Sequence, residues 1–283
     1  MDHNSRLLKD RLIRRLILTL IVVVNVLIVG IVLALGARSW PVLEATPLGR
    51  LLFSTEWHPS DGRFGLLTFI VGTFAVTAGA VVLAAPPCLL AAVYLSEYAP
   101  RWVRALAAPL VDVLAGIPSV VYGLCGIILV VPWAGLSVLA AAVVLAVMIV
   151  PVLVHISVEV MKAVPRELRE ASLALGATRW ETVKHVVLRK SRPGLFAAGV
   201  LATSRALGET MAVLMVVGCS VSIPRSPFDS AFPLPALFAA QYGEMFSQPR
   251  YEAALMASAL VLLVIVLVFN ITSQAILLRF ARS

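Results

Sequence analysis

Residues 162–192 read KAVPRELREASLALGATRWETVKHVVLRKSR and form a polar interruption between long apolar runs. Pro165 suits the first position of a helix, where its missing N–H costs nothing. Gly176 stands where a helix ends in the left-handed conformation. The T-x-x-E sequence at 178–181 is a capping box that begins a second helix, which is expected to stop before Pro193. The stretch therefore predicts a helix–glycine–helix loop that lies outside the apolar part of the chain and contacts another molecule there.

The composition is that of a membrane protein. Of the 283 residues, 60% are hydrophobic and 13% are charged, whereas a soluble domain carries about 25% charged residues. Six apolar stretches reach the length of about 20 residues that a bilayer core demands. They lie at about 16–37, 65–86, 112–131, 136–158, 194–219 and 253–277. The sequence thus predicts an all-α polytopic protein with six transmembrane helices.

The net charge of +8 is distributed in a way that predicts topology. With the N-terminus inside, the inner tails and loops hold most of the 23 Lys and Arg residues, and one of them, Arg205, falls within a predicted span. Such a positive-inside bias places both termini and the 162–192 loop in the cytoplasm. Because the basic residues follow the topology, the charge does not indicate a nucleic-acid partner.

No catalytic residue, metal site or cofactor is expected. The three cysteines and four histidines are scattered without metal-ligand spacing. The sequence lacks a G-x4-G-K-[S/T] loop, so ATP binding by this chain through a Walker motif is not expected. The first apolar run is long enough to span and has no cleavage pattern of a signal peptide. Two regions are predicted: an N-terminal tail, first helix and outer segment at 1–63, and a transmembrane domain at 64–278.

Two proline positions and one tryptophan lead to further predictions. Pro86-Pro87 is expected to break or kink the second span, which leaves 89–98 as a separate amphipathic piece. Pro118 belongs either to a pore-lining face or to a simple kink of the third span. Trp57, in the outer segment, either marks the membrane interface or contacts a soluble partner outside.

The fifth predicted span carries two charges, Arg205 and Glu209. Since they are four residues apart, they are expected on one face of a helix, together with small residues such as Ala198 and Ala202. An isolated arginine at the bilayer centre costs at least ~2.5 kcal/mol. Two interpretations stay open: the charges neutralise each other and hold the bundle together, or they form a charged element of a substrate path.

The loop resembles a known signature, E-A-A-x3-G-x9-I-x-L-P, of ABC importer permeases. The residues that carry the likeness are Glu170, Ala171, Ser172, Gly176, Val187 and Leu188. The match departs from the signature at Ser172, where the second Ala is usual, and at Arg189, where Pro is usual. The resemblance implies the type I ABC importer permease fold, with a cytoplasmic helical coupling loop at about 162–192. It also implies that Glu170, Ala171 and Gly176 couple the chain to an ATPase.

Two further stretches resemble the narrower family of PstC phosphate importer permeases. They read LAGIPSVVYGL at 114–124 and RALGETMAV at 205–213, and the likeness runs from about Trp57 to the end. It implies that Arg205 and Glu209 lie on the path of phosphate. It also implies a heterodimer with a second, PstA-like permease, a cytoplasmic ATPase dimer and an external phosphate-binding protein, all at a bacterial inner membrane.

The predicted function is therefore that of a membrane-spanning permease subunit in an ATP-driven importer of inorganic phosphate. One alternative is a permease for another oxyanion, such as molybdate or sulfate. Another is an ion-coupled secondary carrier that uses Arg205 and Glu209 as a substrate–proton pair and needs no ATPase. A third is a structural or regulatory membrane subunit. The 162–192 loop argues against the secondary carrier, which has no use for an ATPase contact.

Overall fold

The protein is almost entirely helical in a computed structural model, which describes residues 3–243 and 249–282, with side chains at 12–243 and 249–278. In chain order the helices are α1 (His3–Ala45), α2 (Leu48–Phe53), α3 (Leu67–Val93), α4 (Arg101–Gly116), α5 (Ser119–Leu129), α6 (Val131–Ala134), α7 (Val138–Lys162), α8 (Arg166–Ala174), α9 (Arg179–Thr182), α10 (Leu188–Leu207), α11 (Met211–Leu214), α12 (Leu234–Gln241) and α13 (Pro249–Arg282). Two π turns, Tyr94–Tyr98 and Val183–Val187, follow α3 and precede α10. Strands β1 (Trp57–His58) and β2 (Arg63–Phe64) form a small antiparallel hairpin. The predicted all-α architecture is confirmed.

Four helices in the described part of the chain are long and apolar enough to cross a bilayer. They are α1, α3 with its π turn, α7 and α13. A fifth crossing results if α4 and α5 count together, although these two helices meet at 93°. The span predicted at 112–131 is therefore not one continuous helix but is broken at Pro118. Pro118 disfavours the helical conformation at Ile117, which is extended (φ −67°, ψ 130°), and the helix restarts at Ser119.

The fifth predicted span, 194–219, also has different bounds. Helix α9, the second π turn and α10 follow one another without a break from Arg179 to Leu207, and Gly208 ends the helix. The expected stop before Pro193 is wrong, and so is the break expected at Pro86-Pro87, which lies inside α3. A transmembrane helix tolerates such prolines because neighbouring helices satisfy or shield the backbone groups that lose their hydrogen bonds.

The main core lies where α3, α7 and α10 pack against one another. Small side chains repeat along the contact faces at helical spacing, and they are fully buried. On α3 they are Ala80, Ala84 and Ala92, and on α10 they are Ala198, Ala202 and Ala206. Small residues allow helix axes to approach closely, which is how helices gain packing energy in a bilayer.

A second core, at the opposite end of α3, is aromatic. The ring of Trp57 lies edge-on to Phe64 and Phe69, with centroids 5.6 and 5.0 Å apart, and Phe69 meets Phe232 at 5.6 Å. Tyr251, at the start of α13, completes the group at 6.3 Å from Trp57. Trp57 thus has an internal packing role that neither earlier interpretation included. Because these residues come from four separate segments, the cluster ties the outer hairpin to the helices.

Helix α10 packs tightly against α7 at Gly194. A Cβ atom built there would lie 2.3 Å from Val160 Cγ1, far inside contact distance. One turn later, a Cβ atom at Gly199 would meet nothing within 4 Å. The glycine beside Pro193 is therefore required by packing, whereas Gly199 is not.

This contrast predicts a difference between two alanine variants. Gly194→Ala should destabilise the protein by about 1–3 kcal/mol, because overpacking forces the helices apart. Gly199→Ala should be neutral or stabilising, since alanine favours a helix. The thermal midpoint of the detergent-purified protein measures both. Val160→Ala should restore stability to the Gly194→Ala protein, and equal destabilisation by both glycine variants would contradict the packing argument.

Candidate functional site

The turn of the 162–192 loop folds as the sequence predicts, although its second helix continues past Pro193. Helix α8 begins directly after Pro165, and Gly176 adopts φ +86°, which glycine takes up without strain. The capping box is present: Glu181 Oε2 accepts the N–H of Thr178 at 2.7 Å, and Thr178 Oγ1 accepts the N–H of Glu181 at 3.3 Å. The bonds from the Thr178 backbone and hydroxyl lower the pKa of the Glu181 carboxyl. The box is therefore intact at neutral pH and is lost as the pH falls through that lowered pKa.

The departure from the importer signature at Ser172 has a structural use. The Ser172 and Thr182 hydroxyl oxygens lie 3.0 Å apart, which is a hydrogen bond between α8 and α9. An alanine at this position has no group with which to make that bond. Ser172 thus closes the two helices of the loop on each other.

Arg169 holds the loop to the rest of the protein. Its Nη2 donates to the Met161 carbonyl at 2.8 Å and to Glu97 Oε1 at 3.0 Å, and its Nη1 donates to the Val164 carbonyl. The Arg169 and Glu97 side chains are only 19% and 12% exposed. Met161 lies in the last turn of α7, and Val164 lies two residues beyond the end of that helix. One guanidinium therefore joins α8, the end of α7 and the first π turn.

A second arginine of the loop binds the same π turn. Arg179 donates to the Glu97 carbonyl, and its guanidinium lies 4.9 Å from the centroid of the Tyr98 ring, a cation–π distance. Sequence analysis missed these contacts, because Glu97 lies 72 residues from Arg169 and no periodicity joins them.

The opposite face of the loop is open. Helix α8 has no buried residue, and Glu170 and Ala171 are exposed. Leu175 is 90% exposed, and Leu168 and Leu173 are nearly half exposed. An acidic residue beside an exposed apolar group is typical of a surface that meets another protein.

The structure separates Arg205 from Glu209. Helix α10 ends at Leu207, so the two charges do not project from one helix face, and that expectation is wrong. No ion pair joins them among the described side chains. Glu209 Oε1 instead accepts the N–H of Ala212 at 3.4 Å, at the start of α11. Arg205 is exposed, although Ala202 and Ala206 beside it are buried.

The two stretches that carry the narrower family likeness lie together. Helix α5 packs on the end of α11 at Gly123, where a Cβ atom would lie 2.6 Å from Met215 Sδ, and on α7 at Gly126, where one would lie 2.5 Å from Val144 Cγ2. Tyr122, directly before Gly123 in α5, donates to the Leu114 carbonyl at 2.7 Å across the break between α4 and α5. The stretch that holds Tyr122 and the stretch that begins at Arg205 therefore pack on each other where α5 meets α11.

A further polar contact supports the same helix. Asn270 Nδ2 of α13 donates to Ser204 Oγ of α10 at 3.1 Å, next to Arg205. Sequence analysis missed Asn270, although an amide inside a predicted span is the signal that marks an interhelical bond. In the described residues, no group of three or more His, Cys, Asp and Glu side chains is placed to hold a metal ion.

Comparison with known proteins gives the family. Residues 88–283, more than half of the chain, match the family described as "Binding-protein-dependent transport system inner membrane component". The chain belongs to this family. It is thus a component of a membrane transport system, and the loop and the Arg205 site both lie within the matched residues.

Several members of this binding-protein-dependent transport family are similar over most of their length. "Probable ABC transporter permease protein YqgH" of Bacillus subtilis (strain 168) is 39% identical over 83% of this chain and 79% of that protein. "Phosphate transport system permease protein PstC" of Xylella fastidiosa (strain 9a5c) is 32% identical over 94% and 90%. "Phosphate transport system permease protein PstC 2" of Mycobacterium tuberculosis (strain ATCC 25618 / H37Rv) is 33% identical over 90% and 87%.

Solved structures with the same fold are also ABC importers. A chain of the inward-facing MetNI methionine ABC transporter matches with a TM-score of 0.62 and 22% identity, over 75% of this chain and 94% of that one. A chain of a bacterial importer of the acidic polysaccharide alginate matches with a TM-score of 0.61 and 16% identity, over 96% and 99%. The predicted type I importer permease fold is confirmed.

The geometry of Arg169 predicts a large cost for its removal. Arg169→Met leaves the Glu97 carboxylate buried without its partner, which should destabilise the protein by about 3–5 kcal/mol. A matched control is Arg63→Met, which removes an ion pair with Glu56 whose side chains are 63% and 57% exposed and should cost at most about 1 kcal/mol. Thermal midpoints of the purified proteins measure both.

Removing both charges of the buried pair tests the cause. Arg169→Met combined with Glu97→Leu should recover part of the lost stability, because no buried charge then remains unpaired. A similar midpoint for Arg169→Met and Arg63→Met would show that the pair does not hold the loop.

Proposed function

We propose that this chain is the membrane-spanning permease subunit of an ATP-driven importer that moves inorganic phosphate into the cytoplasm. One observation carries the proposal: the two stretches most like the phosphate permeases, which hold Tyr122 and Arg205, pack on each other at Gly123 and Ala212. A guanidinium offers two forked donors to a phosphate oxyanion. Among the described side chains, no carboxylate lies within ion-pair distance of Arg205, so its donors are available to cargo.

The proposed role of Glu209 differs from that of Arg205. Its carboxylate lies at the start of α11, where it caps the helix through Ala212. A negative charge near the path weakens the attraction of Arg205 for an anion, which favours release. Glu209 is therefore proposed to moderate the site and to position α11.

The loop supplies the proposed coupling surface. Glu170, Ala171 and Gly176 are exposed on the face that leads away from the core, and Leu175 beside them is almost fully exposed. We infer that this face docks on a cytoplasmic ATPase dimer and that ATP hydrolysis takes place there. A PstA-like second permease and an external phosphate-binding protein complete the proposed assembly, because the family is named for binding-protein-dependent transport.

The proposed orientation and domain division rest on the sequence. The excess of Lys and Arg in the tails and the 162–192 loop places both termini in the cytoplasm, at a bacterial inner membrane. A reporter fused at residue 178 that reads the outer side would contradict this orientation. The division into 1–63 and 64–278 stays a prediction.

The alternatives find less support. Relatives similar over nearly the whole chain are named as phosphate permeases, which favours phosphate over molybdate or sulfate. An ion-coupled carrier that works through an Arg205–Glu209 pair has no such pair among the described side chains.

The coupling surface predicts the effect of two loop variants. Gly176→Val should abolish phosphate-stimulated ATP hydrolysis, because a β-branched residue resists φ +86°. Glu170→Lys should do the same by reversing a charge on the docking face. Gly176→Asn is the matched control, since asparagine tolerates the left-handed conformation. The assembled complex in proteoliposomes gives the readout, and full stimulation in both Gly176→Val and Glu170→Lys would remove the loop from the coupling mechanism.

The path itself is tested by charge variants. Arg205→Ala should reduce phosphate uptake by at least about tenfold, and Arg205→Lys should reduce it less, because lysine keeps the charge but loses the fork. Glu209→Gln added to Arg205→Ala should not restore uptake, since the structure shows no ion pair to rebalance.

Uptake is compared at equal membrane levels of each protein. Arg225→Ala, which removes an exposed arginine of the outer segment, controls for the loss of one positive charge. Uptake near the wild-type rate in the Arg205→Ala/Glu209→Gln protein would contradict the transport role of Arg205.

A further inference from the structure

Two adjoining cavities lie where the loop meets α4 and α7. The larger, about 470 Å3, is polar and is lined by Arg104, Lys162, Arg166 and Arg169 among others. The smaller, about 80 Å3, lies between α4 and α7 and is mostly apolar. Arg104 and Lys162 line both, so a basic cavity continues into an apolar cleft.

Two of the basic side chains that line the larger cavity form no ion pair with a described carboxylate. Arg169 is paired with Glu97, and Lys162 with Glu159 at 2.9 Å. For Arg104 and Arg166, no carboxylate among the described side chains lies within 4.0 Å. Two carboxylates, Glu97 and Glu170, also line the larger cavity. Against four basic side chains they leave a net positive charge of two, and Arg104 and Arg166 keep donors for a further anion.

Helix ends add to the positive potential. Arg166 is the first residue of α8, and Arg104 lies in the first turn of α4. Each helix is preceded by a proline, Pro100 or Pro165, and receives no side-chain cap. Uncapped N-termini present unpaired N–H groups and about half a positive charge each, which favours an anion with several oxygen acceptors.

The surroundings indicate the kind of anion. Helix α4 has no buried residue, and Trp102, two residues before Arg104 in the first turn of that helix, is 70% exposed. An exposed tryptophan next to arginines at the start of an amphipathic helix is typical of the membrane–water interface. A free phosphate ion fills only the basic cavity, whereas a phospholipid fills the basic cavity with its head group and the apolar cleft with its glycerol end.

We propose that these two cavities form a binding site for one anionic glycerophospholipid. The head-group phosphate lies between Arg104 and Arg166, against the first turns of α4 and α8. The first methylene groups enter the cleft between α4 and α7, along side chains such as Val111 and Val158. Because the site touches α8, the bound lipid links the coupling loop to the membrane surface. This inference does not depend on which cargo the importer carries.

The test measures lipid retained by the assembled importer. The complex is reconstituted in phosphatidylcholine nanodiscs with graded phosphatidylglycerol, and bound lipid is counted by native mass spectrometry. Arg104→Gln/Arg166→Gln should weaken phosphatidylglycerol binding about 30-fold, since each basic residue near the surface is worth about 1 kcal/mol. Arg104→Lys/Arg166→Lys should retain binding, because it keeps both charges.

A second double variant removes the same charge elsewhere. Arg101→Gln/Lys190→Gln changes two exposed basic residues that line neither cavity and should leave the retained lipid unchanged. Equal loss in both double variants would overturn the site in favour of a diffuse charge effect. If millimolar inorganic phosphate displaces the bound lipid, and the complex in phosphatidylcholine nanodiscs retains phosphate in its place, then the cavity is a site for free phosphate and the proposal is overturned.

Discussion

The position of the loop depends on the buried pair of Arg169 and Glu97. Helix α8 buries no side chain of its own, so hydrophobic packing does not hold it in place. What holds it is a guanidinium that bonds two carbonyls at and just beyond the end of α7 and the carboxylate of Glu97. In a chain with only 13% charged residues, this pair fixes a surface element by electrostatics instead of by apolar area. The other face of α8 is thereby left exposed.

The Arg205 site depends on a different constraint: two glycines, which have no side chains, let neighbouring helices approach closely. Gly123 and Gly126 let α5 lie directly on α11 and α7, and this contact sets the bent segment beside α11, which follows α10. Tyr122 then closes the bend by bonding the Leu114 carbonyl. Arg205 can carry its charge here because it lies on the exposed side of α10, away from the buried alanine face.

Rules that consider only neighbouring residues predicted the turn of the loop, but they did not predict contacts between distant parts of the chain. The turn at Gly176 and the capping box of Thr178 follow from a few neighbouring residues, and both are confirmed. The proline rules failed at Pro193, because packing around Gly194 keeps the helix intact where an isolated chain would end it. The Arg169–Glu97 pair was out of reach, because its partners lie in separate elements and no sequence period connects them. Arg205 and Glu209 do not share a helix face for a simpler reason: helix α10 ends at Leu207, one residue before Gly208.

The unbroken helical run from Arg179 to Leu207 has a mechanical consequence. At 1.5 Å per residue it is about 40 Å long, and it is clamped at one end to Tyr98 and carries Arg205 near the other. Such a segment acts as a lever with its fulcrum where Gly194 presses on Val160. A tilt of ~10° about that point displaces each end by ~4 Å in opposite senses, on this helical length. Motion at the loop therefore reaches the arginine without an intervening flexible connection.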